Sequence, residues 1–494
     1  MDLRARLRAF VCARGALPAV GLAASLHLLA CSGELAGDGN ETLKEALAAA
    51  CGSGSGVVPV DPSRSLFVTD DTALANFSFE KVMDQIVATG SSTGQTALAL
   101  YQQLIAQSKP GASCGVINSS NGFFPDVNRN PFSGDFANCD HERARLQTTN
   151  PFTSTTGDDY LPLALVNRFD LAPANGANCG EYRIAFGKRS GLTNPGARVL
   201  LNFEAVLPNP TPSRGLLGCL PVAQFWDQLS SNASATSRAA ALANFYFKGL
   251  AGFAPVIRAQ NYGMNGPGYG MNGAGQIRGN MILNIYGISD PPTAGLVEFR
   301  LSQTCNGATC SLSIASVPEE NNPETGYFTS RGDNITVDHN FISVFVAQVP
   351  TLAVRTISAI SMNLNYNVDY SDAMGIDDFD YDWTMWVLDH DTGNPPLLSA
   401  ISAKLVSIGR SDLTPTQILD RALSQSCAGC HSISVGRNLG GGLTWPASNG
   451  FTHIDENKTL SPALTKEFLP ARATNLINFI NANTTAIAAC PNAS

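Results

Sequence analysis

Two cysteines separated by two residues and followed directly by histidine form a spacing that can do chemistry. The chain carries it as Cys427-Ala428-Gly429-Cys430-His431. Two thiols on one turn can reach both vinyl groups of a porphyrin, and the adjacent imidazole can bind the iron from one side. Chance rarely produces the pattern in 494 residues holding 12 Cys and 6 His. Covalent haem with electron transfer is therefore the leading reading of this stretch. Two others stay open: a Cys427–Cys430 disulfide, or half of a zinc site. Zinc would need two further ligands, and no second C-x-x-C or H-x-x-H accompanies the motif. A redox C-x-x-C normally opens a helix after a strand, whereas here a helix is expected before it.

The elements around the motif fit the first reading. Thr414-Pro415-Thr416-Gln417 is a capping box with proline at the first helical position. Ile418, Leu419, Ala422 and Leu423 then share one face of a helix running into Cys427. Ser461-Pro462 opens a further helix that Pro470 is expected to break. The segment Ala471–Asn483 follows, with Leu476, Ile477, Phe479 and Ile480 apolar. Residues 413–431 and this closing helix resemble class I c-type cytochromes. The resemblance is confined to the C-terminal region, and its specific part is the C-x-x-C-H motif itself. It implies a small α-helical domain in which Cys427 and Cys430 form thioethers and His431 is the proximal ligand. Members of that family usually supply a distal Met after the motif, but this chain has no Met after Met385. His453, the next histidine after His431, is the first candidate for the distal position, and bis-His ligation would lower the potential. A Met from elsewhere (Met264, Met271, Met374 or Met385) could reach over instead. An open distal site would permit peroxidase or oxidase chemistry. Gly440-Gly441-Gly442 could wrap past a porphyrin, with Trp445 and Phe451 covering it.

At the other end, Arg4, Arg6, Arg8 and Arg14 precede an apolar run from Gly15 to Ala30. This is a secretory n-region and h-region, too short to span a bilayer. It closes on Leu28-Leu29-Ala30-Cys31, which resembles the lipobox of bacterial lipoproteins. The resemblance implies lipidation at Cys31 and, with Ser32 following, an outer-membrane address in the cell envelope, periplasmic or surface-exposed. Residues 31–55 read as a flexible tether. Loss of the signal, net +3, takes the chain from −9 to −12. That acidity argues against nucleic acid and against electrostatic docking on anionic lipid. It is compatible with a basic redox partner or metal cations. Setting aside Cys12, Cys31, Cys427 and Cys430 leaves Cys51, Cys114, Cys139, Cys179, Cys219, Cys305, Cys310 and Cys490, enough for four disulfides in an oxidising compartment. Cys305 and Cys310 flank the hairpin turn Asn306-Gly307, which makes them the local pair.

Apolar residues at 44% and charged ones at 14% describe a compact chain with a large core. Phe79–Val87 and Thr96–Gln107 read as helices. Tyr160–Phe169, Gly180–Phe186, Arg198–Leu207, Ile277–Leu283, Leu296–Leu301 and Cys310–Ala315 read as strands, interrupted by helices near Leu220–Leu229 and Thr236–Gly249. The expected fold class is α+β: a large, β-rich, disulfide-braced domain over 56–410, mostly an antiparallel sheet or sandwich, then a small haem domain over 411–494.

Other features are weaker. The acidic stretch Asp369, Asp372, Asp377, Asp378, Asp380 and Asp382 could hold Ca²⁺, although it lacks the EF-hand order and a solvated acidic loop is the simpler reading. Asp126-Val127-Asn128-Arg129-Asn130 has proline where the turn glycine should be. Gly263-Met264-Asn265-Gly266 and its repeat at 270–273 read as a loop, and Arg331-Gly332-Asp333 as coincidence. Hydrolase signatures are absent, and nothing nominates a nucleophile for His141, His339 or His390. The expectation is a lipid-anchored monohaem c-type cytochrome. The alternative from another class is a structural or binding lipoprotein with Cys427–Cys430 as a disulfide and no haem.

Overall fold

The computed structural model describes residues 59–107, 149–153, 157–194, 198–263, 275–283, 293–317, 339–363, 375–376, 396–426 and 429–488. The expected signal, Cys31 and tether lie outside these residues. So do Cys51, Cys114, Cys139, Cys427 and Cys490, both candidate calcium stretches, Arg331-Gly332-Asp333, Met264, Met271, Met374, Met385, His141 and His390.

Apolar-rich runs bounded by Gly, Pro and Asn form one antiparallel meander. Its strands are β1 (Phe67–Val68), β2 (Tyr160–Arg168), β3 (Asn178–Lys188), β4 (Val199–Pro208), β5 (Gln276–Leu283), β6 (Thr293–Asn306) and β7 (Thr309–Val317), paired in chain order. A short β8 (Gly375–Ile376) also pairs with β6. All six long strands expected from sequence are present, in a single sheet rather than a sandwich. The β6–β7 turn places Cys305 opposite Cys310 and the two are bonded, with Gly307 supplying the positive φ of 63°. A second disulfide, Cys179–Cys219, ties the start of β3 to the turn before the next helix.

Successive residues of a strand point to opposite faces. Tyr182, Ile184 and Phe186 on β3 share a face with Leu201 and Phe203 on β4. That face is covered by α1 (Phe79–Gly90), α2 (Ala97–Gln107), α3 (Leu220–Ser231) and α4 (Ala235–Phe247). Phe79 packs within 4.7 Å of the Tyr160 ring and 5.1 Å of the Phe186 ring, and Tyr182 stacks on Trp226 at 5.8 Å. Ser78 caps α1 by accepting from the Lys81 N–H, and Ser234 caps α4 likewise through Ser237. The sequence periodicity carries α4 to Gly249, but the helix stops at Phe247. Gly249 adopts φ 89° and donates back to the Asn244 carbonyl, a left-handed stop that glycine takes at no steric cost.

The remaining helices are α5 (His339–Ala347), α6 (Pro396–Ser407), α7 (Pro415–Leu423) and α8 (Leu469–Ala488). His339 opens α5. Pro470 does not break its helix. Residues 463–468 wind with wide i→i+5 turns directly into α8, and Pro470 is the second residue of α8. Among the described residues no helix is long and apolar enough to cross a membrane. One hydrophobic cluster runs from the helices on the sheet through α7 to Trp445 and α8.

Phe79 is 2% exposed at the centre of an aromatic group that includes Tyr101 and Phe203. Phe79→Ala is expected to cost about 3–5 kcal/mol, measured as a lower midpoint in urea unfolding with an unchanged slope.

Candidate cofactor site

The local order around Cys430 begins with the capping box. Thr414 Oγ1 accepts from the Gln417 N–H at 3.2 Å, and Gln417 Oε1 accepts from the Thr414 N–H at 3.0 Å. The helix expected to run into Cys427 ends at Leu423. The reason is chemical: the hydroxyls of Ser424 and Ser426 donate to the carbonyls of Arg421 and Leu423, an alternative to continued helix. Cys427 lies outside the described residues. The chain resumes in a wide turn, Gly429–Ile433, closed by the Ser434 N–H on the Gly429 carbonyl at 3.0 Å, and this turn carries Cys430 and His431. Such insertions into helical winding are frequent at functional sites. Gly429 is required there, since a Cβ would stand 1.7 Å from the Leu423 carbonyl oxygen.

A hairpin supports the turn from behind. Strands β9 (Asn438–Gly440) and β10 (Leu443–Thr444) are joined through Gly440, Gly441 and Gly442, all at positive φ. The fully buried Arg421 holds it, donating to the carbonyls of Leu439, Gly440, Leu352 and Val354. Burial lowers this guanidinium to about 10, which leaves it charged at neutral pH. Trp445 is buried and donates through Nε1 to the Cys430 carbonyl at 3.1 Å. Ser448 donates to the His431 carbonyl. Trp445 thus fixes the backbone of the motif rather than covering its open side.

Cys430, His431 and His453 converge, their ligand atoms all within 4.8 Å of one another. Cys430 Sγ lies 3.3 Å from His453 Nε2, and His453 Nδ1 lies 2.9 Å from Ser461 Oγ. The imidazole rings of His431 and His453 have centroids 4.3 Å apart. Phe451, whose ring is 5.9 Å from His431, holds φ 56° although it is a bulky residue. That conformation costs on the order of 1–3 kcal/mol and persists only where its surroundings enforce it. Here the sheet enforces it. Asn280 donates to the Phe451 carbonyl, and Arg198 donates to the carbonyls of Asn449 and Gly450. Arg198 also forms a bidentate pair with the buried Glu456. Gly191 makes room for that carboxylate, because a Cβ there would stand 2.2 Å from it.

Opposite the motif is the second face of the sheet, and it is charged. Arg168, Arg183, Glu204 and Arg278 line one cleft with Cys430, His431 and His453, and Arg472 of α8 completes it. Glu204, 1% exposed, accepts from Arg183 at 2.9 Å, Arg278 at 2.9 Å and Gln276 at 2.8 Å. Asp170 pairs with Arg168 at 2.9 Å and lies 3.7 Å from Arg472. The cleft is open to solvent and its cavity volume is about 110 Å³, below the range of roughly 300–1,000 Å³ typical of ligand and cofactor sites.

These residues fit a metal-bearing cofactor in donor type and placement. A thiol and an imidazole from adjacent residues line one open cleft, and His431 Nδ1 is buried without a hydrogen-bond partner. An orphaned polar atom of this kind costs about 1–3 kcal/mol. His453 stands beside Cys430 rather than across from His431. For both imidazoles to flank a porphyrin, the loop carrying His453 would have to part from His431. The charged wall was not recognised from sequence. Its signal was there: Glu181 with Arg183, Glu204, Arg278, and Glu298 with Arg300 are charged residues at alternate positions of otherwise apolar strands.

Burial alone would raise the Asp170 carboxyl, but Arg168 and Arg472 hold it below its ordinary 3.8. A lowered carboxylate contributes stability that is present above its unfolded value and lost as pH falls through the folded one. Wild-type protein is therefore expected to lose stability as pH drops below 3.8. Asp170→Asn, which leaves two buried guanidiniums without their carboxylate, is expected to be about 3–5 kcal/mol less stable at pH 7 and flatter across the acid limb. Urea unfolding at a series of pH values checks both. Comparison with protein-family models, with curated proteins and with solved structures gives no match.

Proposed function

We propose that this protein is a monohaem c-type cytochrome held at the cell envelope by a lipid on Cys31, with the haem-binding residues in 411–494. The observation that carries the reading is the placement of Cys430 and His431, the second half of Cys427-Ala428-Gly429-Cys430-His431, on one cleft together with His453. In this reading Cys427 and Cys430 form the thioethers and His431 is the proximal ligand. When bound, the haem iron would accept and release one electron. The rest is done by the chain. Trp445 and Ser448 hold the backbone carbonyls of Cys430 and His431, so the thiol and imidazole enter the cleft from one fixed turn. Ser461 orients His453 through Nδ1 and leaves Nε2 directed at the cleft, which suits it as the distal ligand once its loop moves aside. The redox partner would be a protein compatible with an acidic chain. An open distal position would instead suit peroxidase or oxidase chemistry.

The compactness of the Cys430, His431 and His453 group also favours a second reading, a single ion bound by one thiolate and two imidazoles. Optical spectra separate the two. The mature protein, made in a host with haem-attachment machinery and denatured in alkaline pyridine, is expected to show a haemochrome band that survives acid–acetone extraction. Cys430→Ser is expected to weaken attachment and His431→Ala to remove the proximal ligand. Absence of the band, with a stoichiometric metal ion found instead, would favour the single-ion site. In the haem-bearing protein, His453→Ala is expected to convert a low-spin spectrum to high-spin; an unchanged spectrum would remove His453 as a ligand.

A further inference from the structure

We infer that Cys430, His431 and His453 hold one zinc-class ion in the haem-free protein, and that this ion blocks haem attachment until it leaves. The blocking role rests on the haem reading; the ion site stands on the geometry of the three side chains.

The group is closed too tightly for a macrocycle and suits a single ion. Bonds from zinc run about 2.3 Å to a thiolate and about 2.0 Å to an imidazole nitrogen, which puts two such ligands roughly 3.5 Å apart in a tetrahedron. Cys430 Sγ and His453 Nε2 stand 3.3 Å apart. The ligand atom of His431 lies within 4.8 Å of both, within reach of side-chain rotation. His431 Nδ1 is buried without a hydrogen-bond partner, and an ion on that atom would give it one. His453 is already oriented for the task. Ser461 Oγ lies 2.9 Å from His453 Nδ1 and accepts from the Leu464 N–H at 3.2 Å, which leaves Nε2 to the ion. Outer partners of this kind fix the tautomer and ring plane of ligating histidines. Trp445 and Ser448 hold the carbonyls of Cys430 and His431, so two of the three ligands come from one fixed turn. One thiolate and two imidazoles form a donor set that zinc and copper favour and that calcium and magnesium avoid. All three residues line the open cleft, so an ion enters without unfolding and keeps its fourth position for water.

Ion and haem cannot share these atoms. Attachment at Cys430 breaks the S–H bond, joins Sγ to one vinyl carbon and passes the hydrogen to the other, with no oxidant or reductant required. The product is a thioether, whereas the metal ligand is the thiolate. His431 is committed to the iron at the same time, and the His453 ring, its centroid now 4.3 Å from that of His431, must move away. Occupancy by the ion therefore decides whether the motif is open to haem.

The test uses the full mature chain, made without haem-attachment machinery and kept reduced. It is titrated with Zn²⁺ alone, and with Co²⁺ as the optical probe. One ion per chain is expected, with a near-ultraviolet thiolate-to-cobalt band that Cys430→Ser removes. Ser461→Ala is expected to weaken zinc binding about 10–100-fold while the thiolate band stays, because it removes an orienting partner and no ligand. His453→Ala, which removes a ligand, is expected to weaken it at least as much. Urea unfolding verifies that the variants are folded, and each of the three tests the site on its own. Zinc-loaded protein supplied with haem and the attachment machinery is expected to gain covalent haem only after a chelator has removed the ion. Absence of stoichiometric zinc, a thiolate band that persists in Cys430→Ser, or unchanged affinity in folded His453→Ala or Ser461→Ala would overturn the site. Equal attachment with and without the ion would overturn its blocking role. Failure of the haem reading would show separately, as a missing haemochrome band in the metal-free protein, while the zinc and cobalt titrations would still report on the site.

Discussion

The buried carboxylate of Glu204 is the interaction on which the charged face of the sheet depends. A charge on an inner strand is tolerable only with dense hydrogen bonding, and Glu204 gathers Arg183, Arg278 and Gln276 from the two neighbouring strands. Each of those groups must itself be kept from bulk water or given a further partner. The requirement spreads across the sheet to Glu181 beside Arg183 and to Asp170 between Arg168 and Arg472. The result is a sheet with two unlike faces. One is an aromatic and aliphatic surface under α1 to α4, and the other is a charged surface that needs a cover.

The C-terminal segment is that cover, and it is fastened at the same points that shape the Cys430, His431 and His453 group. Arg198 reaches from the start of β4 to Glu456 and to the carbonyls of residues 449 and 450, while Asn280 takes the carbonyl of Phe451. These bonds hold Phe451 in a left-handed conformation beside His431 and place His453 next to Cys430. The motif and the sheet thus depend on each other: the sheet positions the loop that carries His453, and the loop closes the charged face.

Much of this architecture was legible in local patterns. The hairpin around Asn306-Gly307 and its bridge between Cys305 and Cys310 follow from turn chemistry alone. The strands follow from apolar-rich runs between Gly, Pro and Asn breaks, and the start of α7 from a capping box. The patterns failed where competing local interactions or distant residues decided. Serine hydroxyls at 424 and 426 ended α7 before the motif, and wide winding over 463–468 continues into α8 through Pro470. Cys179 is bonded to Cys219 across a sequence separation of 40, and no spacing rule selects that partner.

The sequence by itself determined the chemistry available: a thiol–thiol–imidazole motif, a second histidine farther along at position 453, and strands in which charged residues alternate with apolar ones. These are properties of residue type and period, which backbone geometry alone converts into faces and turns. Only the tertiary structure decided that Arg168, Arg183, Arg278 and Arg472 stand across a cleft from Cys430 and His431. That juxtaposition depends on strand register and on a loop docked from a distant part of the chain, through Asn280 on Phe451. Long-range pairing of this kind is set by the shared burial of charge, which leaves no periodic trace along the chain.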